Sequence, residues 1–311
     1  MPTIKETVKL SGRGIHSGLP VNMVIKPSKK YGIFFQRTDL KGAKSIPARF
    51  DNVGDTKMRN TTIGTLAGPH VQTIEHLMAA LFMAGIDSAI ISIDGPETPI
   101  LDGSAVKFYR AISHAGKTSG KLKRIIVRRP VIVRAAEVLR SLPFGTRFKI
   151  WLYNFISGHK SNGFVKLSPG ESDILNIKAT LVYPEKIIGH QSYIYSFDGT
   201  KDSIKDFVKN IAAARTFGKF SEWEYLKARG MGRGADETNV IALNDRGDGT
   251  LNKVFWPDEF VRHKIIDAIG DMFTSGGIIV GNLESYKGSH AMNNLVLRKL
   301  FSNPDNYEII D

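Results

Sequence analysis

The stretch from Asp258 to Phe273, DEFVRHKIIDAIGDMF, holds three side chains whose types and spacing could do chemistry. At 100° per residue, Ile265, Ile266, Ile269, Met272 and Phe273 share one arc, and His263, Asp267 and Asp271 form a stripe opposite. Such a stripe reads either as a solvated helix face or as one that carries ligands. Asp and His are poorer helix formers than the Glu, Lys or Gln that usually fill exposed faces. Asp271 also lies near the C-terminal end, where the macrodipole disfavours negative charge by about 0.3–1 kcal/mol, so something must offset that cost. A His and an Asp at i and i+4 can reach one cation from a single face, and three protein ligands plus water is the open geometry of zinc.

A third ligand has to come from elsewhere in the chain. Glu75 and His76 interrupt an otherwise apolar stretch, and two titratable neighbours are costly to bury unless paired. They read as a satisfied core pair or as a functional one. Metal-assisted hydrolysis needs such a pair, with one group on the ion and the other taking a proton from its water. His290, within KGSHAMNN, sits where a strand pattern gives way to a helical one, a place for a polar cap or for a catalytic group.

These residues must be held by regular elements. Leu10, Val21, Met23, Ile25 and Ile33 to Phe35 alternate with polar residues between Gly12, Gly14, Gly18, Pro27 and Gly32, which predicts short strands. Helical spacing predicts a buried helix from Gln72 to Ala84, stopped by Gly85. A strand over Ser88 to Ile93 follows, then turns, then a helix capped by Ser104 and running to about His114. After the break at 116–120, strands are predicted over Leu122 to Val133 and Phe148 to Phe155. Helices follow over Ser203 to Ala214 and Ser221 to Ala228, then a glycine-rich loop at 230–234 and a long helix after Pro257. The strand Ile278 to Tyr286 and a short helix from about Met292 complete the chain. The expected class is α+β in two units, residues 1–118 and 119–311.

Composition narrows the chemistry. With 42% hydrophobic and 23% charged residues over 311, the chain is that of an ordinary globular protein, which excludes disorder. Its longest apolar run, Leu77 to Ile86, falls short of the about 18 residues needed to cross a bilayer, and the beginning carries no apolar leader. A cytoplasmic address is therefore expected. The absence of cysteine agrees with that address and removes thiol nucleophiles, disulfides, zinc fingers and iron–sulfur clusters, so any metal must rest on His, Asp or Glu. Forty-three basic against 30 acidic residues give +13, which favours anionic partners without choosing among them. The densest basic stretch, Lys117 to Arg134, reads as a solvated strand edge or connection, or else as a binding surface. Gly116-Lys117-Thr118 fails as a phosphate loop because Ala111 stands where glycine is needed, and Gly12-x-Gly14-x-x-Ser17 lacks the third glycine of a dinucleotide fingerprint. No basic–aromatic stacking pattern accompanies the charge, so no nucleic-acid partner is expected.

Six collinear motifs carry a resemblance. SGRGIHSG (11–18), VQTIEHL (71–77), DGPETPILDGSA (94–105), ARTFG (214–218), Glu259 to Asp271 and HAMNN (290–294) together resemble the UDP-3-O-acyl-N-acetylglucosamine deacetylases, zinc amidases of lipid A biosynthesis. The resemblance implies zinc ligands His76, His263 and Asp267, a general base Glu75, and a general acid His290 kept charged by Asp271. It further implies that Thr216 hydrogen-bonds the developing oxyanion, that Lys264 and Phe217 contact substrate, that Lys287 lies near the diphosphate, and that Tyr183 offers an aromatic face to the uracil. The implied fold is two α+β domains of similar topology, each a two-layer sandwich of a mixed sheet with two helices, and the active site lies between them. The implied partner is a UDP-linked acylated amino sugar handled by a monomer, and the surplus charge suits peripheral contact with an anionic membrane surface.

Four segments depart from that family's usual pattern. Gly288-Ser289 replaces Ser-Gly before His290, Asp236 to Thr238 alter the glycine-rich loop, Lys219 ends the Thr-Phe-Gly segment, and Val182 stands beside Tyr183 where an Asp is usual. They bear on nucleotide and acyl-chain recognition, and the catalytic set is untouched.

Overall fold

A computed structural model of the chain describes residues 1–54, 60–140, 162–171 and 173–310. Alternation builds the first sheet. In β2 (Pro20–Pro27), Val21, Met23 and Ile25 point inward and are buried. Each such side chain contributes about 1.5–3 kcal/mol on full burial. This strand lies between β1 (Val8–Arg13) and β7 (Ser88–Ile93), antiparallel to both. Beyond β7 come the parallel β3 (Gly32–Arg37) and the short β4 (Ile46–Pro47), completing a five-stranded mixed sheet. A two-stranded ribbon, β5 (Ile63–Gly64) with β6 (His70–Val71), precedes the first helix.

That helix, α1 (Glu75–Ala84), starts three residues later than its periodicity predicts. Thr73 has φ +58°, a left-handed conformation that no helix can include. It ends as expected, with Gly85 at φ +69° donating its N–H back to Leu81 and Phe82. The second helix, α2 (Val106–His114), begins just after Ser104, whose hydroxyl accepts the Val106 N–H at 3.2 Å.

The second sheet has β15 (Ile278–Tyr286) at its centre. The parallel strand β11 (Leu175–Val182), which carries the antiparallel β12 (His190–Phe197), flanks it on one side. On the other side lie the antiparallel β10 (Phe164–Ser168) and β9 (Val131–Arg134). The first residues of β15 also pair with β8 (Arg124–Val127), which pairs with β16 (Tyr307–Ile310). The single strand expected over Leu122 to Val133 is thus two, because Pro130 lacks the N–H a continuous ladder needs. The strand expected over Phe148 to Phe155 lies outside the described residues.

Remaining elements include α3 (Ala135–Arg140), α4 (Lys201–Asn210), β13 (Phe217–Lys219), α5 (Ser221–Ala228) and β14 (Ile241–Leu243). The long helix α6 (Glu259–Phe273) and α7 (His290–Phe301) follow. Helix α4 begins earlier than expected because the Thr200 hydroxyl caps it, and ends at Asn210 because Ala212 gives its carbonyl to the Ala105 N–H instead. The class is α+β, as expected. One continuous core joins the sheets through the helices, and Phe82 of α1 packs on Phe197 of β12 at 4.6 Å and on Phe273 of α6 at 5.4 Å. Among the described residues, no helix is long and apolar enough to cross a membrane.

The basic stretch Lys117 to Arg134 is largely spent internally. Arg124 pairs with Asp173, Arg128 with Glu308 and Arg129 with Asp305, while Lys123 stacks on Tyr31. Of the two readings of this stretch, the paired and solvated strand edge is the one the structure supports.

Candidate active site

Helix α6 is buried on nearly every side, with partial exposure left only to Arg262 and Lys264. The stripe of His263, Asp267 and Asp271 is therefore not a solvated face. It turns toward α1 and α7. The close approach is made at Gly270, where a Cβ would sit 1.9 Å from the Glu75 carbonyl oxygen. Glycine lets the two backbones touch, and the contact brings Glu75 and His76 against the stripe.

Three ligand atoms converge there. The Nε2 atoms of His76 and His263 each lie 3.5 Å from Asp267 Oδ1. The donor set of His76, His263 and Asp267 falls within 4.8 Å overall, with all three residues buried. The His263 tautomer is fixed from behind, because Nδ1 faces the Ala214 carbonyl at 3.0 Å and must donate to it, which leaves the Nε2 lone pair pointing inward. That carbonyl is held in turn by a buried pair: Glu259, fully enclosed, accepts from the Arg215 backbone N–H at 3.1 Å and from its Nε at 2.9 Å. Asp267 Oδ2 accepts from Lys264 Nζ at 2.8 Å, but Oδ1 is buried with no hydrogen-bond partner. An anionic oxygen facing imidazole lone pairs is repulsive unless a cation lies between them. Tetrahedral zinc with ligand bonds of about 2.0–2.1 Å sets its ligands about 3.3 Å apart, so the 3.5 Å spacings fit such an ion.

Two further groups flank the triad. Glu75 Oε1 lies 4.0 Å from His290 Nε2, and Glu75 Oε2 accepts the Thr61 N–H at 3.1 Å. His290 Nδ1 donates to Asp271 Oδ2 at 2.8 Å, and Asn293 Nδ2 donates to the same oxygen at 2.8 Å. Asp271 Oδ1 accepts the Thr61 hydroxyl at 2.5 Å. These partners offset the macrodipole cost expected at Asp271. Burial raises the Glu75 carboxyl above its ordinary range, partly countered by the charge of His290. Burial also pushes His263 down to about 3, which keeps it a neutral ligand. For His290, burial alone would lower the value, but Asp271, with Glu75 and Asp267 behind it, outweighs that and lifts it to about 9. At Asp267 the same contest ends the other way: burial would raise the carboxyl, but Lys264 outweighs it and holds the carboxyl well below its usual range.

The cluster forms the polar end of a cavity of about 450 Å³. Thr216, Phe217 and Lys264 line it beside the triad, and Tyr183 and Glu185 line it further out. The Phe217 ring meets Phe260 at 5.1 Å and Tyr183 at 6.0 Å, both edge-on. An apolar arm is built from Ile15, Ile100, Trp223, Leu226, Met231 and Val240. Lys287 is outside the lining, although the next three residues belong to it; its φ is +49° and its Nζ donates to Asn162.

Structure also accounts for several of the unusual positions. A Cβ at 288 would lie 2.1 Å from Ser285 Oγ, a hydroxyl that would have to turn aside, and Ser289 caps α7 by accepting the Met292 N–H. Asp236 closes its own turn by accepting from the Thr238 N–H at 2.9 Å. Lys219 pairs with Glu185 at 2.6 Å on the cavity wall. Sequence patterns alone did not single out Thr61 or Asn293. Nor did they reveal that Glu97, fully buried, accepts from the His16 and Ser17 backbones and from Thr73, tying the 11–18 motif to the segment before α1.

The family model for UDP-3-O-acyl N-acetylglycosamine deacetylase (LpxC) matches residues 1–302. The chain belongs to this deacetylase family. Curated relatives of the family include UDP-3-O-acyl-N-acetylglucosamine deacetylases from Myxococcus xanthus, 35% identical over 99% of this chain and 88% of the relative, and from Shewanella oneidensis, 34% identical over 99% and 92%. A third, from Nitratiruptor, is 34% identical over 99% of this chain and 93% of its own length. Deacetylases of this name therefore align with 99% of the chain.

Proposed function

We propose that this chain hydrolyses the N-acetyl group of UDP-3-O-acyl-N-acetylglucosamine, releasing acetate and the free amine, in lipid A biosynthesis. One observation carries the mechanism: two imidazole nitrogens and an otherwise unpartnered carboxylate oxygen converge between a second carboxylate and a cationic imidazole. His76, His263 and Asp267 would hold one zinc ion, which when bound lowers the pKa of water from about 16 toward 7 and polarises a carbonyl.

The chain's own residues do the rest. Glu75, oriented by the Thr61 N–H, takes the proton of the attacking water. Thr216 donates to the carbonyl oxygen as negative charge develops on it, the oxyanion-hole role. His290, held protonated by Asp271, delivers a proton to the departing amine. Lys264 contacts the substrate beside the triad, Phe217 and Tyr183 offer ring faces to the nucleotide, and Lys287 stands near the diphosphate. The apolar arm holds the acyl chain and keeps water out.

Two α+β units, residues 1–118 and 119–311, each built on a mixed sheet, meet at this site, with Thr61, Glu75 and His76 from the first and His263, Asp267, Asp271 and His290 from the second. The enzyme works as a cytoplasmic monomer, and its charge of +13 assists approach to anionic membranes. Association with anionic liposomes that is absent even at low ionic strength would remove that last point. For the central reading, metal analysis and acetate release are compared between the wild type and His263→Ala. The wild type should carry close to one zinc per chain, and both quantities should fall sharply in the variant. Unchanged metal content in the variant would overturn the ligand assignment.

A further inference from the structure

Thr61 sits in a short loop before β5, is 2% exposed, and has neither the charge nor the nucleophilicity that draws attention to a residue. Its contacts are unusual. The backbone N–H donates to Glu75 Oε2 at 3.1 Å, and the side-chain hydroxyl donates to Asp271 Oδ1 at 2.5 Å and lies 3.3 Å from His290 Nδ1. The Thr61 carbonyl accepts the Ile74 N–H at 3.3 Å, directly ahead of Glu75. One residue thus touches groups on α1, α6 and α7, the three helices that bring the base and the acid together. The loop is itself fixed: the Asn60 side chain donates to Thr73 Oγ1 at 3.0 Å and accepts the Thr62 hydroxyl at 3.0 Å, and Thr73 donates to the buried Glu97.

We propose that Thr61 is a positioning residue for the reaction, with its hydroxyl setting the orientation of the Asp271–His290 pair while its amide sets Glu75, so that base and acid keep their 4.0 Å separation. The geometry excludes mere packing as its whole role. A hydroxyl buried among two carboxylates and an imidazole has desolvation to recover, and it recovers it through the one Asp271 oxygen that His290 and Asn293 leave open. Without it, Asp271 Oδ1 would lack this buried donor, and the carboxylate could rotate away from His290. Glu75 would keep its backbone donor, so the loss falls on proton delivery and not on substrate affinity.

This inference rests on the hydrolytic reading above, and its test separates the two. Thr61→Val keeps the shape and removes the hydroxyl, whereas Thr61→Ser keeps the hydroxyl and removes the methyl. With acetate release as the assay, Thr61→Val should lower kcat by about tenfold or more, with KM within about twofold and zinc content unchanged. Thr61→Ser should stay within about threefold of the wild type. In combination with Asp271→Asn, the Val substitution should cost little more, because both act through the same carboxylate. A packing role predicts the reverse order, with Val near wild type and Ser impaired, and that order overturns the proposal. Should Thr61→Val fail to fold, a Ser variant with kcat reduced tenfold would overturn it equally. A wild type that carries zinc but releases no acetate would instead sink the hydrolytic reading.

Discussion

Replacing Gly270 by alanine should damage the site without touching any group that does chemistry. On an exposed helix this change would stabilise by about 1 kcal/mol, since alanine is the better helix former. Here the sign reverses. The new Cβ would lie 1.9 Å from the Glu75 oxygen, 2.7 Å from its carbonyl carbon and 2.9 Å from its Cα, all backbone atoms that cannot rotate aside. Restoring ordinary contact near 3.4 Å requires α1 and α6 to separate by about 1.5 Å at that point. Glu75 and His76 ride on α1 while His263 and Asp267 ride on α6, so the 3.5 Å spacing between His76 and Asp267 opens by a similar amount. Overpacking of this kind costs about 1–3 kcal/mol, and a misplacement of about 1 Å in a reacting constellation can cost about a hundredfold in rate. The expected outcome is a folded protein with a lowered melting temperature, weakened zinc retention on dialysis and kcat reduced by about two orders of magnitude. A Gly270→Ala protein that keeps its zinc and turns over within threefold of the wild type would refute the claim that helix contact at Gly270 sets the site.

Two further outcomes follow from the same geometry. His290 must be protonated to act, and with its value lifted to about 9 the protonated fraction falls as pH rises through that point, placing an alkaline limb there. Asp271→Asn removes the negative charge and leaves burial, which lowers the value, so the limb in kcat should move to lower pH by about one unit or more; an unmoved limb would contradict the pairing. In the apolar arm, Met231→Glu places a carboxylate among Ile15, Trp223 and Leu226. Desolvating it costs on the order of 2 kcal/mol or more, so KM for a long-acyl substrate should rise at least about tenfold while a short-acyl analogue is little affected, as paired steady-state assays can check.

What the sequence makes legible is what local pattern encodes. The β7 and β15 boundaries, the Gly85 stop and the His263–Asp267–Asp271 stripe follow from alternation, αL glycine and helical periodicity, all short-range rules. The solvated-face alternative for that stripe could not be dismissed on pattern alone, because an amphipathic helix that buries its polar side looks the same in sequence as one that exposes it. The deciding fact is Gly270, whose missing side chain admits α1, and nothing in the local pattern says which backbone will approach. Helix starts depart from the apolar periodicity where a local feature overrides it, a left-handed φ at Thr73 and a hydroxyl cap at Thr200. The strands β10 to β12 are not among the expected elements, although their buried and partly exposed residues largely alternate. Thr61 had no signal at all, since a lone threonine before a short strand looks like any other.

The charge of the whole chain and that of its site point in opposite directions. Glu75, Asp267 and Asp271 are each at most 4% exposed, and the cations set directly against them are Lys264 and protonated His290. With His76 and His263 counted as lone-pair donors, one negative charge remains enclosed. Leaving it unpaired in a poorly solvated interior would cost several kcal/mol, far more than the +13 of a screened surface can return at a distance. The protein has two ways to cancel it. Protonating Glu75, whose value burial already raises, removes the charge and disables the base. Placing a divalent cation at Asp267 Oδ1, a buried oxygen with no hydrogen-bond partner, more than offsets the charge and leaves Glu75 ionised. The second route relieves the enclosed negative charge and keeps the base active, and the unpartnered oxygen that would take the cation lies 3.5 Å from both imidazole nitrogens.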